Sequence, residues 1–589
     1  MIRQLTVKIC FLLIIFFSFA TVAQTIDSID IKGNSNFSKE EYLKWINLSG
    51  KSFHKKIPDS IKTKIEFNLN KYGYLNSSVD SIGSVISPDS QKINLTLFVT
   101  EGKPTYINKI LITDLDSVEL KQITEKFAVL TGTPFVVAKL EEEFTDILTD
   151  FENDGYPFAS IKVKSLFFFF DSIKKKNKVD ISLAFKKNKI SRIDTIIVKG
   201  NSTTKKDVII RELRINKGEP YSQNKLEQIP YKLNRLRFFD FVQPPKYYFN
   251  SHNKGILEIE VKEKNTNSFD GILGYIPAQK ENESGYFTGL INVSMRNLFG
   301  TGRGFSFRWS KLDKHSQELE IKYLEPWIFG LPFNLNLFLF QKQQDTTYVQ
   351  RILSGSVEFL ATENFSSSFV FSKDYTIPTN PEGNDFTVFN STATNTGVNF
   401  KYDIRDNILV PTKGIYLLNT YKYSAKNING PEKYISDTTN ITPKQYRIEL
   451  DLLLIKKIAL RHIPFIGIHI RELQGDDIEI SDMYRIGGNN TLRGYMENQF
   501  VGSRVIWTNM EYRYLTGRRS YLFLFVDMAY YKRKELKLQN LPEFSATKIG
   551  YGAGITFETE LGMISVSYAL AQGESFNKGK LHFGLIGEF

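Results

Sequence analysis

The chain has 589 residues, a net charge of +12, 14% aromatic residues and one cysteine. A single cysteine excludes a disulfide framework and a cysteine metal site, and no stretch after residue 23 reaches the roughly 18 apolar residues that a membrane-spanning helix needs. The length predicts several domains; the positive charge reads as basic surface facing acidic lipid, because no basic helix has base-reading spacing and no nucleic-acid partner is expected.

Residues 1–23 read as a secretory signal peptide. Arg3 and Lys8 form a positive start, Ile9 to Phe19 is apolar except for Ser18, and the small Thr21 and Ala23 precede a cut before Gln24. Cys10 lies inside this segment, so the exported chain keeps no thiol.

Residues 24–264 contain a threefold repeat, with expected boundaries 24–104, 105–189 and 190–264. Three landmark aromatics, Tyr74, Tyr156 and Phe238, recur 82 residues apart. Upstream of each lies a short strand-like segment, "IDSIDIKGN", "INKILITDL" and "IDTIIVKGN", the first and third ending in Lys-Gly-Asn. Two stretches of helical periodicity follow, then the aromatic, then an alternating strand such as "INLTLFVTEG" or "GILEIEVKEK". Each repeat therefore predicts β-α-α-β-β. The pattern resembles the polypeptide-transport-associated (POTRA) domain. The middle repeat lacks Lys-Gly-Asn and carries "LFFFFD", Leu166 to Asp171. Those four phenylalanines read as a buried strand; were the edge exposed instead, it would suit pairing with a client strand by β-augmentation.

From residue 265 to 589 helical periodicity gives way to strict alternation. In "KIGYGAGITFE", Ile549, Tyr551, Ile555 and Phe557 alternate with Gly550, Gly552, Gly554 and Glu558. In the last segment Leu581, Phe583, Leu585 and Phe589 alternate with Lys580, His582 and Glu588. One face for lipid and one for a polar interior predicts an antiparallel transmembrane β-barrel, the closed form in which every backbone polar group is paired. Sixteen strands are expected, centred near 272, 290, 307, 321, 336, 355, 369, 398, 419, 449, 464, 507, 525, 552, 566 and 585. Long connections follow odd-numbered strands and short turns such as "NLFGTG" and "PWIFG" follow even-numbered ones. The alternative, a soluble β-sandwich, would not need so many outward Tyr and Phe.

Six segments in order, "MRNLFGTGRGFSFRW", "YLEPWIFG", "YDIRDNILVPTKG", "RIGGNNTLRGY", "MEYRYL" and "LFVDMAYY", resemble the outer-membrane protein assembly factors of the BamA and TamA type. Three repeats bring the chain nearer the TamA-like members. The resemblance implies that Arg493, Gly494 and Tyr495 lie in a loop folded into the lumen, with Glu511 and Asp527 as the carboxylate partners of the arginine. Glu511 shares its phase with Asn509 and Trp507, as an inward residue should; Asp527 shares its phase with Phe523 and Phe525, a weaker sign of an inward face. It further implies a seam between first and last strands that opens sideways, here carrying Gly271, Gly274, Gly584 and Gly587, and an assembly signal in the C-terminal Phe589. The plain readings are that Arg493 only stabilises the barrel and that the glycines only suit its curvature.

No catalytic constellation is present. The six histidines have no ligand spacing, "GTGRG" at Gly300 lies in a turn rather than before a helix, and no enzyme activity, cofactor or metal is expected. Three functions stand open: an outer-membrane assembly factor for β-barrel proteins, a polypeptide-secretion translocator of the same superfamily, and a passive uptake porin. For the first, the partners implied are the lipid bilayer, unfolded β-barrel clients and, for a TamA-like protein, a periplasm-spanning partner anchored in the inner membrane. The bacterial outer membrane is the expected location, with the repeats in the periplasm.

Overall fold

Ser38 opens the first helix as a capping box: it accepts from the Glu41 N–H while the Glu41 side chain reaches back to the Ser38 N–H. The computed structural model describes residues 25–586 except 49–51, 55, 89–91, 278–283, 312, 383–385, 438, 518 and 560–561. The signal-peptide segment, Gly587 and Phe589 lie outside the described residues.

The first repeat runs strand Thr25–Lys32, helices Lys39–Ile46 and Ile57–Lys71, strands Ser78–Ile86 and Lys92–Thr100. Its third strand lies centrally, parallel to the first and antiparallel to the second. Tyr42, Ile46, Ile61, Ile65 and Leu69 from the helices pack on Ile93, Leu95 and Leu97 from that central strand. The second repeat has the same order: Thr105–Thr113, Ser117–Ala128, Val137–Asn153, Ser160–Asp171 and Lys176–Lys186. The third has strand Thr195–Lys199, helices Lys206–Leu213 and Gln223–Leu236, and strands Lys246–Phe249 and Gly255–Glu260.

The Lys-Gly-Asn turns have a shared physical cause. Gly33 and Gly200 adopt φ of +89° and +83°, and a Cβ on either would meet the carbonyl oxygen of Val99 or Val261 at 2.1 or 1.9 Å. Only glycine fits both the dihedral and the contact. The residues after each turn present N–H donors to one glutamate at the end of the repeat: Asn36 to Glu101, and Ser202, Thr203 and Thr204 to Glu263. Burial opposes the Glu101 charge, yet donors from Asn36, Tyr42 and Ser35 hold its carboxyl below the usual range. Glu263 is likewise opposed by burial and held down to about 2 by donors from Ser202, Thr203 and Thr204. The middle repeat, without the turn, places Lys187 after its last strand and pairs it with Glu119 in the first turn of its helix.

The four phenylalanines of the middle repeat correct the buried-strand reading. Ser160–Asp171 is an edge strand, paired only to Lys176–Lys186 among the described residues. Phe167 and Phe170 are 63% and 59% exposed and Phe168 is 48% exposed. A three-stranded sheet covered by two helices has one open face, and a strand of this length outruns its cover.

Residues from 267 onward form one 16-stranded sheet in which neighbours in sequence are neighbours in space, interrupted only by the short hairpin of Tyr484–Ile486 with Phe500–Gly502. All sixteen expected centres fall within its strands, from Asn267–Ile276 to Lys580–Ile586. A single sheet with this order is no sandwich. Several strands run past their expected ends: the seventh reaches Pro378 and the ninth Gly430, shortening the loops that follow. In the thirteenth strand, Tyr521–Arg533, Leu522, Leu524, Val526 and Met528 are exposed while Tyr521, Phe523, Phe525, Asp527 and Ala529 are buried. That alternation puts an apolar stripe toward lipid. The sheet curls on itself: Lys264, at the entry to the first strand, lies within Coulombic reach of Glu558 near the end of the fourteenth. Among the described residues, no hydrogen-bond ladder joins the first strand to the sixteenth.

The chain divides into two compact units. One holds residues 1–194 with 218–226 and 251–255; the other holds 195–217, 227–250 and 256–589, and so contains most of the third repeat together with the sheet.

Candidate functional site

The eleventh strand, His462–Gly475, and the twelfth, Arg504–Leu515, are separated by the longest connection between neighbouring strands of the 16-stranded sheet. Its tip is folded tightly. Gly487, Gly488 and Gly494 take positive φ, Thr491 Oγ1 accepts from the Gly487 N–H at 2.8 Å, and the Gly488 N–H donates to the Leu492 carbonyl at 3.0 Å. Leu492 and Tyr495 are buried against Val505, Trp507, Ala529 and Tyr531 of the inner wall. These two apolar anchors fix the residues between them, Arg493 and Gly494.

Arg493 is 6% exposed. Its Nε and Nη2 donate to the two carboxylate oxygens of Asp527, each at 2.7 Å, and its backbone N–H adds a third bond to Asp527 at 3.0 Å. Its Nη1 donates to Glu511 Oε1 at 2.8 Å. The guanidinium lies 3.6 Å from the centroid of the Phe525 ring. A planar fork between two carboxylates, covered by an aromatic face, is the geometry arginine supplies and lysine does not. Glu511 is also bonded by Arg513 at 2.8 Å, and Asp527 by Asn509 Nδ2 at 2.8 Å. Two guanidiniums and two carboxylates therefore balance within a buried cluster.

The structure brings Arg493, Glu511 and Asp527 together and gives Gly494 a specific task. With φ of +92°, Gly494 lies so near the fifteenth strand, Gly562–Ala571, that a Cβ would meet the Leu570 carbonyl oxygen at 2.7 Å. Its N–H donates to Nε2 of His582 in the last strand at 2.9 Å, and the Tyr495 hydroxyl donates to the Ile549 carbonyl at 3.1 Å. The loop is thus pinned to the twelfth, thirteenth, fourteenth and sixteenth strands.

Sequence reasoning missed His582, Gly550 and Phe525. A Cβ on Gly550 would lie 1.8 Å from the Arg493 carbonyl oxygen, and one on Gly552 would lie 2.9 Å from the Phe525 ring. The inner-face glycines of the fourteenth strand therefore make a bed for the loop and for the Phe523 and Phe525 rings, which explains why apolar residues share the inward phase of Asp527. The alternation of Lys580 and His582 with Leu581 and Phe583 showed the inward phase of His582; nothing local showed its contact. At the seam, a Cβ on Gly271 would have no atom nearer than 3.5 Å, whereas one on Gly584 would meet the Asn489 side-chain nitrogen at 2.3 Å. Gly584 faces the loop. On Gly274 the nearest atom would be the Thr288 hydroxyl, at 3.1 Å.

With a single 16-stranded sheet and an arginine loop locked inside it, the comparison with known families becomes specific. An Omp85 superfamily domain model matches residues 297–589, and a POTRA model, the surface antigen variable number repeat, matches 24–102 and 191–264. The chain belongs to the Omp85 superfamily. The BamA/TamA-type resemblance of its motifs is borne out, and the protein resides in the bacterial outer membrane with its POTRA repeats in the periplasm. This Omp85 chain is similar to the outer membrane protein assembly factor BamA of Neisseria meningitidis, 22% identical over 336 residues, covering 54% of this chain and 40% of that protein. It is 29% identical over 157 residues to BamA of Nitratidesulfovibrio vulgaris, covering 26% and 18% respectively. The chain thus spans less than half the length of these curated relatives. Among solved structures, BamA from Haemophilus ducreyi lacking POTRA domains 1–3 aligns over 81% of this chain and 98% of that one at 14% identity and a TM-score of 0.46. CdiB from Escherichia coli aligns over 90% and 96% at 11% identity and 0.47. Those scores decide nothing between the two.

The turn motifs of the Omp85 domain also hold the third POTRA repeat. Trp327, in "PWIFG", donates its indole N–H to Glu212 at 2.7 Å. The Tyr231 hydroxyl donates to the Arg405 carbonyl at 2.6 Å, and Arg405 grips Asp403 through Nε and Nη2, each at 2.9 Å.

Proposed function

We propose that this Omp85 protein is an outer-membrane assembly factor that inserts and folds β-barrel clients. The observation that carries the reading is the pair of strand edges left without a ladder partner, on Asn267–Ile276 and Lys580–Ile586 among the described residues. An unpaired edge templates an incoming strand. The names of the similar curated proteins, outer membrane protein assembly factors, support the same reading. The exposed phenylalanine strand of the second repeat offers a second edge for client or partner docking, and a TamA-like role would add a periplasm-spanning partner held in the inner membrane. No nucleotide or catalytic step is needed: the client's own burial of apolar surface and closure of its backbone hydrogen bonds drive insertion.

Depleting the protein and quantifying outer-membrane proteins tests the proposal. Broad or selective loss of β-barrel proteins is the expected result. Loss of a single secreted polypeptide would assign the translocator role, and an unchanged outer-membrane proteome with solute-selective conductance would assign the porin role.

A further inference from the structure

The hairpin of the second repeat ends in a tip that strand pairing along its edge does not use. Its strands, Ser160–Asp171 and Lys176–Lys186, keep one register from Ser165 opposite Ser182 to Asp171 opposite Lys176. Side chains therefore alternate between the two faces of the ribbon over this length. Phe168 and Phe170 point to one face, where Phe168 meets the core residue Phe135 edge-on at 6.1 Å. Phe167 and Phe169 point to the other and stack at 5.8 Å. Phe167 and Phe170 are both exposed, so apolar surface is open on both faces at once. Ile173, at the apex, is 94% exposed.

The apex is a built turn. Asp171 Oδ1 accepts from the N–H groups of Ile173 and Lys174, each at 3.0 Å, and the Asp171 carboxylate pairs with Lys178 at 2.7 Å. Lys175 closes the turn with φ of +51°. An isoleucine is thus held out into solvent by specific bonds. Residues 171–178 carry four lysines and one aspartate. Asp171 answers Lys178, and Lys176 lies over the Tyr106 ring at 4.4 Å. Lys174 and Lys175 are exposed and form no ion pair among the described residues.

This arrangement selects its occupant. A rigid protein surface covers one face of a ribbon, and a client strand covers the backbone edge, which ends at Asp171, short of Ile173. A fluid apolar phase surrounds both faces and the apex together. Lysines beside such a tip lay their stems along apolar surface and keep their charges in water. Apolar residues capped by cations suit the boundary of a bilayer with acidic headgroups. We propose that this hairpin tip seats in the surface of an acidic phospholipid bilayer, with Phe170 and Ile173 at the acyl boundary and Lys174 and Lys175 among the headgroups. This interaction goes beyond client assembly and does not depend on it. One apex binds weakly by itself, but the barrel already holds the chain in a membrane, which raises the effective concentration of the tip at a lipid surface.

The test uses the full chain with Cys10→Ser and Ser172→Cys, the single thiol carrying a polarity-sensitive fluorophore. Emission is compared in phosphatidylcholine nanodiscs, in nanodiscs containing phosphatidylglycerol, and in phosphatidylcholine nanodiscs mixed with phosphatidylglycerol vesicles. A blue shift that requires phosphatidylglycerol and is reversed by high salt is expected. A shift within the phosphatidylglycerol nanodisc assigns the membrane that holds the barrel, and a shift only on adding vesicles assigns an apposed membrane. Lys174→Gln with Lys175→Gln is expected to lower the ratio of seated to free tip about tenfold, because each cation near an acidic surface adds a several-fold factor. Ile173→Ser is expected to abolish the shift. No shift with either source of phosphatidylglycerol overturns the proposal, and this readout needs no further variant. A shift of equal strength in the double lysine variant overturns it as well. A shift produced by a client polypeptide in phosphatidylcholine, and by no lipid, overturns it in favour of protein docking.

Discussion

Removing Arg493 would leave buried negative charge short of a partner. Without it Asp527 is a buried carboxylate that keeps its bond from Asn509, and Glu511 keeps its bond from Arg513. Stranding a buried charge typically costs about 3–5 kcal/mol. Arg493→Ala should therefore lower the temperature at which the folded barrel converts to its unfolded form on gels, and client insertion should fall with it. Arg493→Asp combined with Asp527→Arg should recover part of the loss; an Arg493→Ala barrel as heat-resistant as wild type would remove the anchoring role. Glu263 makes a separate prediction in pH. Its folded pKa is held down to about 2 from a usual 4.5, so its contribution is complete above about 4.5 and is lost as pH falls toward 2. Glu263→Gln should melt earlier than wild type at neutral pH, and the difference should shrink between pH 4.5 and 2. Because Ser202, Thr203 and Thr204 lose a charged acceptor, roughly 1–3 kcal/mol is at stake.

At the scale of elements, the edge strand Ser160–Asp171 separates stability from function. Phe167 and Phe170 stand largely in solvent, so replacing both with serine should change repeat stability by no more than about 0.5 kcal/mol each. The same change should weaken crosslinking of client or partner segments to this strand. Full retention of crosslinking would show that docking happens elsewhere. The fourteenth strand makes the opposite point. Gly550, Gly552 and Gly554 look like weak strand residues, yet their missing side chains are the space that the Arg493 backbone and the Phe523 and Phe525 rings occupy. Gly552→Ala should disturb the loop as well as the strand, seen as protease cleavage within residues 487–499 in an otherwise folded barrel.

At the scale of the molecule, the Omp85 domain and most of the third POTRA repeat share one compact unit, and Trp327 ties the two together. Trp327→Ala removes the indole donor from a buried Glu212 and the aromatic face beneath Arg211 and Arg214. Limited proteolysis should then release residues 195–264 faster while the barrel keeps its folded gel mobility. Unchanged protease resistance would place the joint's strength in Lys232, Tyr231 and Arg235 instead. The architecture at this scale was largely legible in the chain. Tyr74, Tyr156 and Phe238 at equal spacing marked the repeats, and period-two alternation marked all sixteen strands, because both signals are local. The phenylalanine run misled for the same reason: four apolar residues in a row look the same whether a helix covers them or water does.

Phase by itself determined which side chains face lipid and which face the lumen, since alternation along a strand is a property of the backbone alone, while the carboxylate partners of Arg493 came from the family resemblance. Only the tertiary structure decided that Phe525 covers the guanidinium, that His582 receives the Gly494 N–H, and that Arg211 and Arg214 gather at one cavity. Those contacts join residues up to 147 positions apart, and the register and curl of the sheet, rather than any neighbouring residue, bring them within hydrogen-bond distance.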